Sequence, residues 1–368
     1  MLRLGLVAST PIGEAYARAL SQLPAAELAA VAAVSSRCGP AVRAGASTRP
    51  ADLVALPSLE AVVLASGLAE PYPLIRRALI HGKHVLAAGP FALTIDQVRR
   101  LAALAERRGR LLMFAEERTL SPSFALLADM IRGATRPCLH YIRLLDVRPR
   151  QAEAAPDAAA VAAEDLALCA RLVERRPRSV SAVAGGPAGG SLEAAFVTLV
   201  YPGGLVASLQ VSVSESWEAR QLVASMAGRT LMLDELDYRT PLRVVSASEW
   251  TRRDAAGAER CGRAAWRTNS LALPAEPVDP TLEQCRRFVE AVAGGRAGAA
   301  DGELWSQVAR LWEAAERSMA LAGAPVPLET RPRLQELKGQ TPHLHVIRGR
   351  ARRGHSISPR PALTLVSA

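Results

Sequence analysis

Ala61-Val62-Val63-Leu64-Ala65-Ser66, then Ala78-Leu79-Ile80-His81-Gly82-Lys83-His84-Val85-Leu86, then Pro90-Phe91-Ala92-Leu93-Thr94, follow one another in this chain. The first run is unbroken, apolar and rich in valine, which suits a strand buried on both faces. Residues 71–81 have helical spacing, with Gly82 placed as a C-cap. Residues 84–87 repeat the buried-strand pattern, and 94–108 return to helical spacing. Working outward, residues 2–8 read as a first strand, Ser9-Thr10-Pro11-Ile12-Gly13 as a turn and 14–23 as a helix. A second strand over 28–34 ends in Ser35-Ser36-Arg37, and 110–115 read as a fifth. Alternating strand and helix predicts an α/β fold, opening with a parallel sheet and crossover helices.

The pattern changes near residue 120. Ser121-Pro122-Ser123 opens a helix to 131, and 139–147 alternate in polarity as a half-buried strand does. An alanine-rich helix over 158–173 precedes strands at 179–183, 194–201, 205–213, 221–227 and 230–236. Pro202-Gly203-Gly204 reads as a hairpin turn. Residues 239–273, with Trp250 and Trp266, read as irregular, and helices are expected at 281–293 and 301–322. From residue 329 the chain is rich in Arg, Pro, Gly and Ser without any period, the composition of a mobile tail. The expected organisation is a Rossmann domain (1–119), a C-terminal α/β domain with a large, mostly antiparallel open sheet (120–328) and a basic tail (329–368).

Composition narrows the function classes. The chain has 368 residues, 49% hydrophobic and 22% charged, which suits a globular protein of two domains. No apolar run is long enough for a membrane span, and a cytoplasmic protein is expected. The five scattered cysteines form no Cys-x-x-Cys pair, so neither a disulfide framework nor a metal site is expected. The net charge of +10 hints at nucleic acid, but residues 329–368 hold eight Lys/Arg against two Asp/Glu. That is +6 in the tail and +4 in the other 328 residues, with no interleaved aromatics in the tail for base stacking. A nucleic-acid partner is therefore not expected. Lysine occurs only at Lys83 and Lys338, so any mechanism needing one has two candidates.

The run from Ala61 to Thr94 resembles the glucose–fructose oxidoreductase/inositol dehydrogenase (Gfo/Idh/MocA) family. The resemblance extends through Ala184, Tyr201-Pro202-Gly203-Gly204 and Asp301-Gly302-Glu303, over residues 1–328. It implies NAD(P) as cofactor, a small-molecule substrate and homo-oligomers formed through the C-terminal sheet. The dinucleotide turn reads Ala8-Ser9-Thr10-Pro11-Ile12-Gly13, keeping only the third glycine of Gly-x-Gly-x-x-Gly. The implied cofactor-binding residues are Ala8, Thr10, Ile12, Gly13, Ser35, Ser36, Arg37, Ala65, Ser66, Ala88 and Gly89. Ser36 and Arg37 suit a 2′-phosphate, favouring NADP(H).

The same resemblance exposes what is missing. The family's Glu-Lys-Pro reads Ala88-Gly89-Pro90 here, without carboxylate or lysine. The family's helix bearing a histidine, with Asp three residues on, has Ala162 at the histidine position and keeps Asp165. Lys83 falls at the opposite end of its strand, and no histidine lies between His140 and His343. Sugar-alcohol chemistry thereby loses general acid–base help and an electrostatic clamp. The reading is an NADP(H)-type reductase of a small conjugated or imine-like substrate. The alternative is a pseudo-oxidoreductase retained for binding or scaffolding. Candidate catalytic groups are Glu117, Arg118 and Asp165; the plainer reading of the first two is a surface salt-bridge cluster. Tyr72 and Tyr141 are further proton donors, or half-buried packing residues.

Overall fold

A computed structural model describes residues 1–8, 12–34, 49–65, 71–88, 93–133, 139–149, 158–187, 192–248, 267–273, 278–300 and 302–328. Residues 1–328 form one compact unit.

The first sheet is built from β1 (Leu2–Ala8), β2 (Ala26–Ala33), β3 (Ala61–Ala65), β4 (His84–Ala88) and β5 (Leu111–Phe114). A short strand from much later in the chain, β14 (Gly298–Ala300), joins them in the order β14-β5-β4-β3-β1-β2. All five pairings are parallel. The crossovers include α1 (Ile12–Ser21), α2 (Pro50–Leu53), α3 (Pro71–Ile80) and α4 (Ile95–Arg107). Helix α4 starts at a capping box: Thr94 Oγ1 accepts the Gln97 N–H at 3.2 Å, and Gln97 Oε1 accepts the Thr94 N–H at 3.0 Å.

Because successive strand residues face opposite ways, the first sheet separates two apolar layers. Leu6, Val63, Leu86 and Met113 pack on one side with Tyr16 of α1 and with Cys285, Phe288 and Val289 of a late helix, α7 (Pro280–Ala293). Val62, Val85 and Leu112 pack on the other side with α3 and α4. That second layer runs on through α8 (Gly302–Ala320) into the rest of the molecule. Thus α7 and β14, in the stretch that the sequence boundaries assign to 120–328, complete the first sheet. Local periodicity carries no information about this return.

After β5 come a 3-10 turn (Glu117–Leu120), α5 (Pro122–Arg132), β6 (Leu139–Pro149) and α6 (Ala158–Leu172). Strands β7 (Ser179–Gly185), β8 (Ala194–Val200), β9 (Val206–Glu215), β10 (Ala219–Met226) and β11 (Arg229–Asp234) follow. With β12 (Leu242–Ser248), β13 (Arg267–Leu273) and β15 (Val326–Pro327) they make a sheet ordered β13-β12-β11-β10-β6-β9-β8-β7-β15. Only β6 and β9 pair in parallel. The β8–β9 hairpin turns at Gly203 and Gly204, with φ of 84° and 87°, as the Pro-Gly-Gly signal implies.

One expectation needs correction. Residues 239–273, read as irregular, contain β12 and β13, which pair antiparallel from Leu242↔Leu273 to Ser248↔Arg267. The long interval between them hides the pairing from a local reading. Trp250 and Trp266 lie outside the described residues.

Candidate active site

The carboxyl edge of the first sheet is lined by small side chains. Ala8, Ala65 and Ala88 end β1, β3 and β4 and sit in one register row, Ala8↔Ala65↔Ala88, all three fully buried. Ala33 of β2 pairs with Ala8 on the far side. A Cβ on Gly13 would lie 2.4 Å from the Ala8 Cβ, so only glycine lets α1 start against the end of β1. This is the packing role of the third glycine of a dinucleotide turn. Ile12, the first residue of α1, lies at the same edge. The other candidate cofactor residues, Thr10, Ser35, Ser36, Arg37, Ser66 and Gly89, fall outside the described residues. Lys83 stands at the opposite end of β4. It is buried, and its Nζ donates to the carbonyls of Leu56 (2.6 Å) and Leu59 (2.7 Å).

Two of the three candidate catalytic residues meet in a buried ion network. Arg118, in the 3-10 turn after β5, donates from Nη1 to Asp165 Oδ1 at 2.7 Å and to Asp146 Oδ2 at 3.1 Å. Its Nε and Nη2 grip Glu235, just past β11, at 2.8–3.1 Å. Arg148 joins Asp146 (2.9 and 3.0 Å) to Glu164 (2.7 Å). The side chains of Asp146 and Asp165 are 0% exposed and that of Arg118 15%. The 3-10 turn, β6, α6 and the end of β11 are thereby tied at one point, so the surface-cluster reading of Arg118 does not hold.

The network sets unequal proton affinities. Burial pushes the Asp165 carboxyl up to about 7, against the pull of Arg118. Its Oδ2 is buried with no hydrogen-bond partner among the described residues. Burial also works against the charge on Asp146, but the Arg148 and Arg118 guanidinium groups outweigh it and hold this carboxyl below its usual range. Arg148 is held above its ordinary value by Glu164 and Asp146, despite burial.

Glu117 takes a different direction. Its carboxylate accepts a short hydrogen bond from the Tyr16 hydroxyl of α1. Burial raises both groups, and their juxtaposition raises Tyr16 further. Neighbouring Glu116 pairs with Arg171 at 2.9 and 3.0 Å. Tyr72 and Tyr141 are half-buried, and His140 is exposed. Ala162, at the histidine position, is fully buried on the same helix as Asp165.

The sequence reading missed Asp146, Arg148, Glu164, Glu235 and Tyr16. A signal for Asp146 was available. Ile142, Leu144 and Asp146 share one parity of β6 and all three are buried. A carboxylate at core parity requires a buried cation.

A parallel sheet with crossover helices and a small-residue carboxyl edge defines a Rossmann-type nucleotide fold. Residues 2–116 match the model of the oxidoreductase family with an NAD-binding Rossmann fold, GFO_IDH_MocA. Over this domain the chain is similar to the Gfo/Idh/MocA family. The uncharacterized oxidoreductase YdgJ of Escherichia coli (strain K12) is 32% identical over 84 residues, which is 23% of this chain and 24% of that protein. Among solved structures, UDP-N-acetylglucosamine 3-dehydrogenase GnnA from Acidithiobacillus ferrooxidans superposes with a TM-score of 0.68 at 19% identity, over 87% of this chain and 98% of its own. GenD2 from gentamicin A biosynthesis, in complex with NAD, gives 0.69 at 22% identity over 89% and 96%. A 3-ketoreductase mutant from Actinomadura kijaniata, in complex with TDP-benzene and NADP, gives 0.69 at 20% identity over 86% and 97%. At these identities the likeness is one of fold. No described helix is long and apolar enough to cross a membrane.

Proposed function

We propose that this protein is an NADP(H)-dependent reductase whose substrate is a small imine-like cation. The observation that carries this reading is the charge of the site. Two arginines, Arg118 and Arg148, face four carboxylates, Asp146, Glu164, Asp165 and Glu235. Arg220, which also acts on Asp146, is itself paired with Glu218 at 2.9 Å. Even with Asp165 protonated below about pH 7, three carboxylates outnumber the two guanidinium groups, which favours a positively charged ligand. A protonated C=N bond is already polarised, so it needs neither the lysine nor the histidine that this chain lacks.

Ala8, Gly13, Ala65 and Ala88 would hold the dinucleotide, because their small side chains let the backbone approach a pyrophosphate. When bound, the nicotinamide supplies the hydride. Ser36 and Arg37 would take the 2′-phosphate. The partly exposed carboxylates of the network, Glu164 and Glu235, attract the cationic end of the substrate, buried Asp165 helps to hold Arg118, and Glu117 with Tyr16 fixes the 3-10 turn against α1.

With purified protein and NADPH, a five-membered cyclic imine should be reduced at least tenfold faster than myo-inositol is oxidised with either dinucleotide. Arg37→Ala should erase the preference for NADPH over NADH in a fluorescence titration. Turnover of inositol without turnover of the imine would overturn the reading. A second reading, a binding protein without chemistry, is favoured by one observation: Arg118 commits Nε, Nη1 and Nη2 to carboxylates, leaving little for a substrate. No binding of either nucleotide at millimolar concentration would select it.

We also place a second copy of the chain on the open face of the large sheet. Val183, Phe196, Gln210, Leu145 and Gln221 run across five strands in one row, with Val183 and Phe196 54% and 48% exposed. Val200 and Met232 are exposed nearby. Such a patch marks an interaction surface. Light scattering should give a homo-oligomer that Phe196→Arg dissociates; a monomeric wild type would refute this.

A further inference from the structure

On the other side of the turn that carries Arg118, and sharing no residue with the ion network, a cavity of about 770 Å³ lies between α5 and α7 at the β5–β14 edge of the first sheet. Its volume is that of a small-molecule site. Phe124 and Ala128 of α5, Ala291 of α7 and Phe114 of β5 give it an apolar lining. Its arginines are Arg132, Arg171, Arg287 and Arg296, against the carboxylates Glu116 and Glu290. Arg132, Arg171 and Arg287 are tethered by Asp129, Glu116 and Glu283. Arg296 is exposed and makes no ion pair among the described residues.

One buried group points to a ligand. Gln284 lines the cavity and is only 3% exposed. Its Oε1 accepts the Glu116 N–H at 3.0 Å, but among the described residues its Nε2 donates only to the Met113 sulfur, at 3.2 Å. A thioether is a weak acceptor, so a buried amide is left with unused donor capacity. From Gln284 to Gly294 the cavity follows one face of α7 for about 15 Å.

We propose that this cavity binds an amphipathic monoanion: a flat apolar body between α5 and α7, an acceptor oxygen on the Gln284 amide and a carboxylate or phosphate at the arginines. The chain's own segment 329–368 carries +6 and has the wrong sign to fill a site whose lining is itself net positive. The site is independent of the reductase reading, since it shares no residue with the small-residue edge of β1, β3 and β4.

The test uses the full chain and hippurate, which joins an aryl ring, an amide carbonyl and a carboxylate. Calorimetry should show hippurate binding at least tenfold tighter than acetate or benzamide. Ala125→Trp, at an exposed position of α5 lining the cavity, should block it. Arg287→Ala with Arg296→Ala, and separately Gln284→Glu, should each weaken binding at least tenfold with circular dichroism unchanged. Saturating NADPH should not displace hippurate. The proposal is overturned if hippurate binds no tighter than acetate, if the filled and arginine-less variants keep wild-type affinity, or if NADPH competes.

Discussion

Replacing Arg118 by methionine is expected to destabilise the protein by about 3–5 kcal/mol, the range for breaking a buried ion pair from one side. Glu235 would lose the guanidinium that it grips, Asp146 one of its two arginines, and Asp165 the hydrogen bond on its Oδ1. The lost bonds connect the turn after β5 to β6, α6 and the end of β11, so the damage should spread through the whole compact unit. Arg118→Lys should fall in between, because an ammonium restores the charge but cannot reach three carboxylates as a planar fork does. Urea titration followed by circular dichroism measures both. A methionine variant within about 1 kcal/mol of wild type would show that the ion network is not what fastens these elements.

Asp165→Asn should have the opposite sign and depend on pH. The native carboxyl titrates near 7, whereas in the unfolded chain it titrates near 3.9. Between those values the folded protein holds a proton that the unfolded chain has released. The stability this provides is complete below about pH 4, falls as pH rises and is gone above about pH 7. Asparagine keeps the shape and never ionises. The variant's advantage over wild type should therefore grow through that window, reaching about 2 kcal/mol more at pH 8 than at pH 5. That is somewhat less than full linkage, because Arg118 and Asp165 can adjust together. Paired thermal melts across this range decide it. A pH-independent difference, or a variant less stable at pH 8, would show that Asp165 is ionised in the native state throughout.

Much of the fold was legible in the sequence because its signals are local. Apolar runs in β1, β3 and β4 and the Pro202-Gly203-Gly204 hairpin each state their geometry within a few residues. The β12–β13 pair was not legible, because its partners are separated by a long stretch without period. The site divides the same way. Arg118 could be singled out by its position after a strand and Asp165 by the resemblance to the family's histidine-bearing helix, and the structure puts them 2.7 Å apart. Their partners Asp146 and Glu235 were overlooked, since neither stands in a motif. Only strand parity, Ile142-x-Leu144-x-Asp146, marks Asp146 as a charge turned inward.

The late strand β14 has a consequence for how the molecule comes to be. Gly298 pairs with Leu111, and Cys285 and Phe288 of α7 cover the same apolar face as Leu86 and Met113. Contacts between such distant parts of the chain make folding slow, because a very long loop must close before they are rewarded. On the ribosome, the first five strands emerge early and then wait. Until α7 and β14 arrive, β5 is a bare edge with open hydrogen-bonding groups beside an uncovered apolar face, the state most prone to pair with a neighbouring chain. The nucleotide-type sheet is thus begun before the large sheet and completed after all of that sheet but β15, by a segment that shields both its open edge and its apolar face.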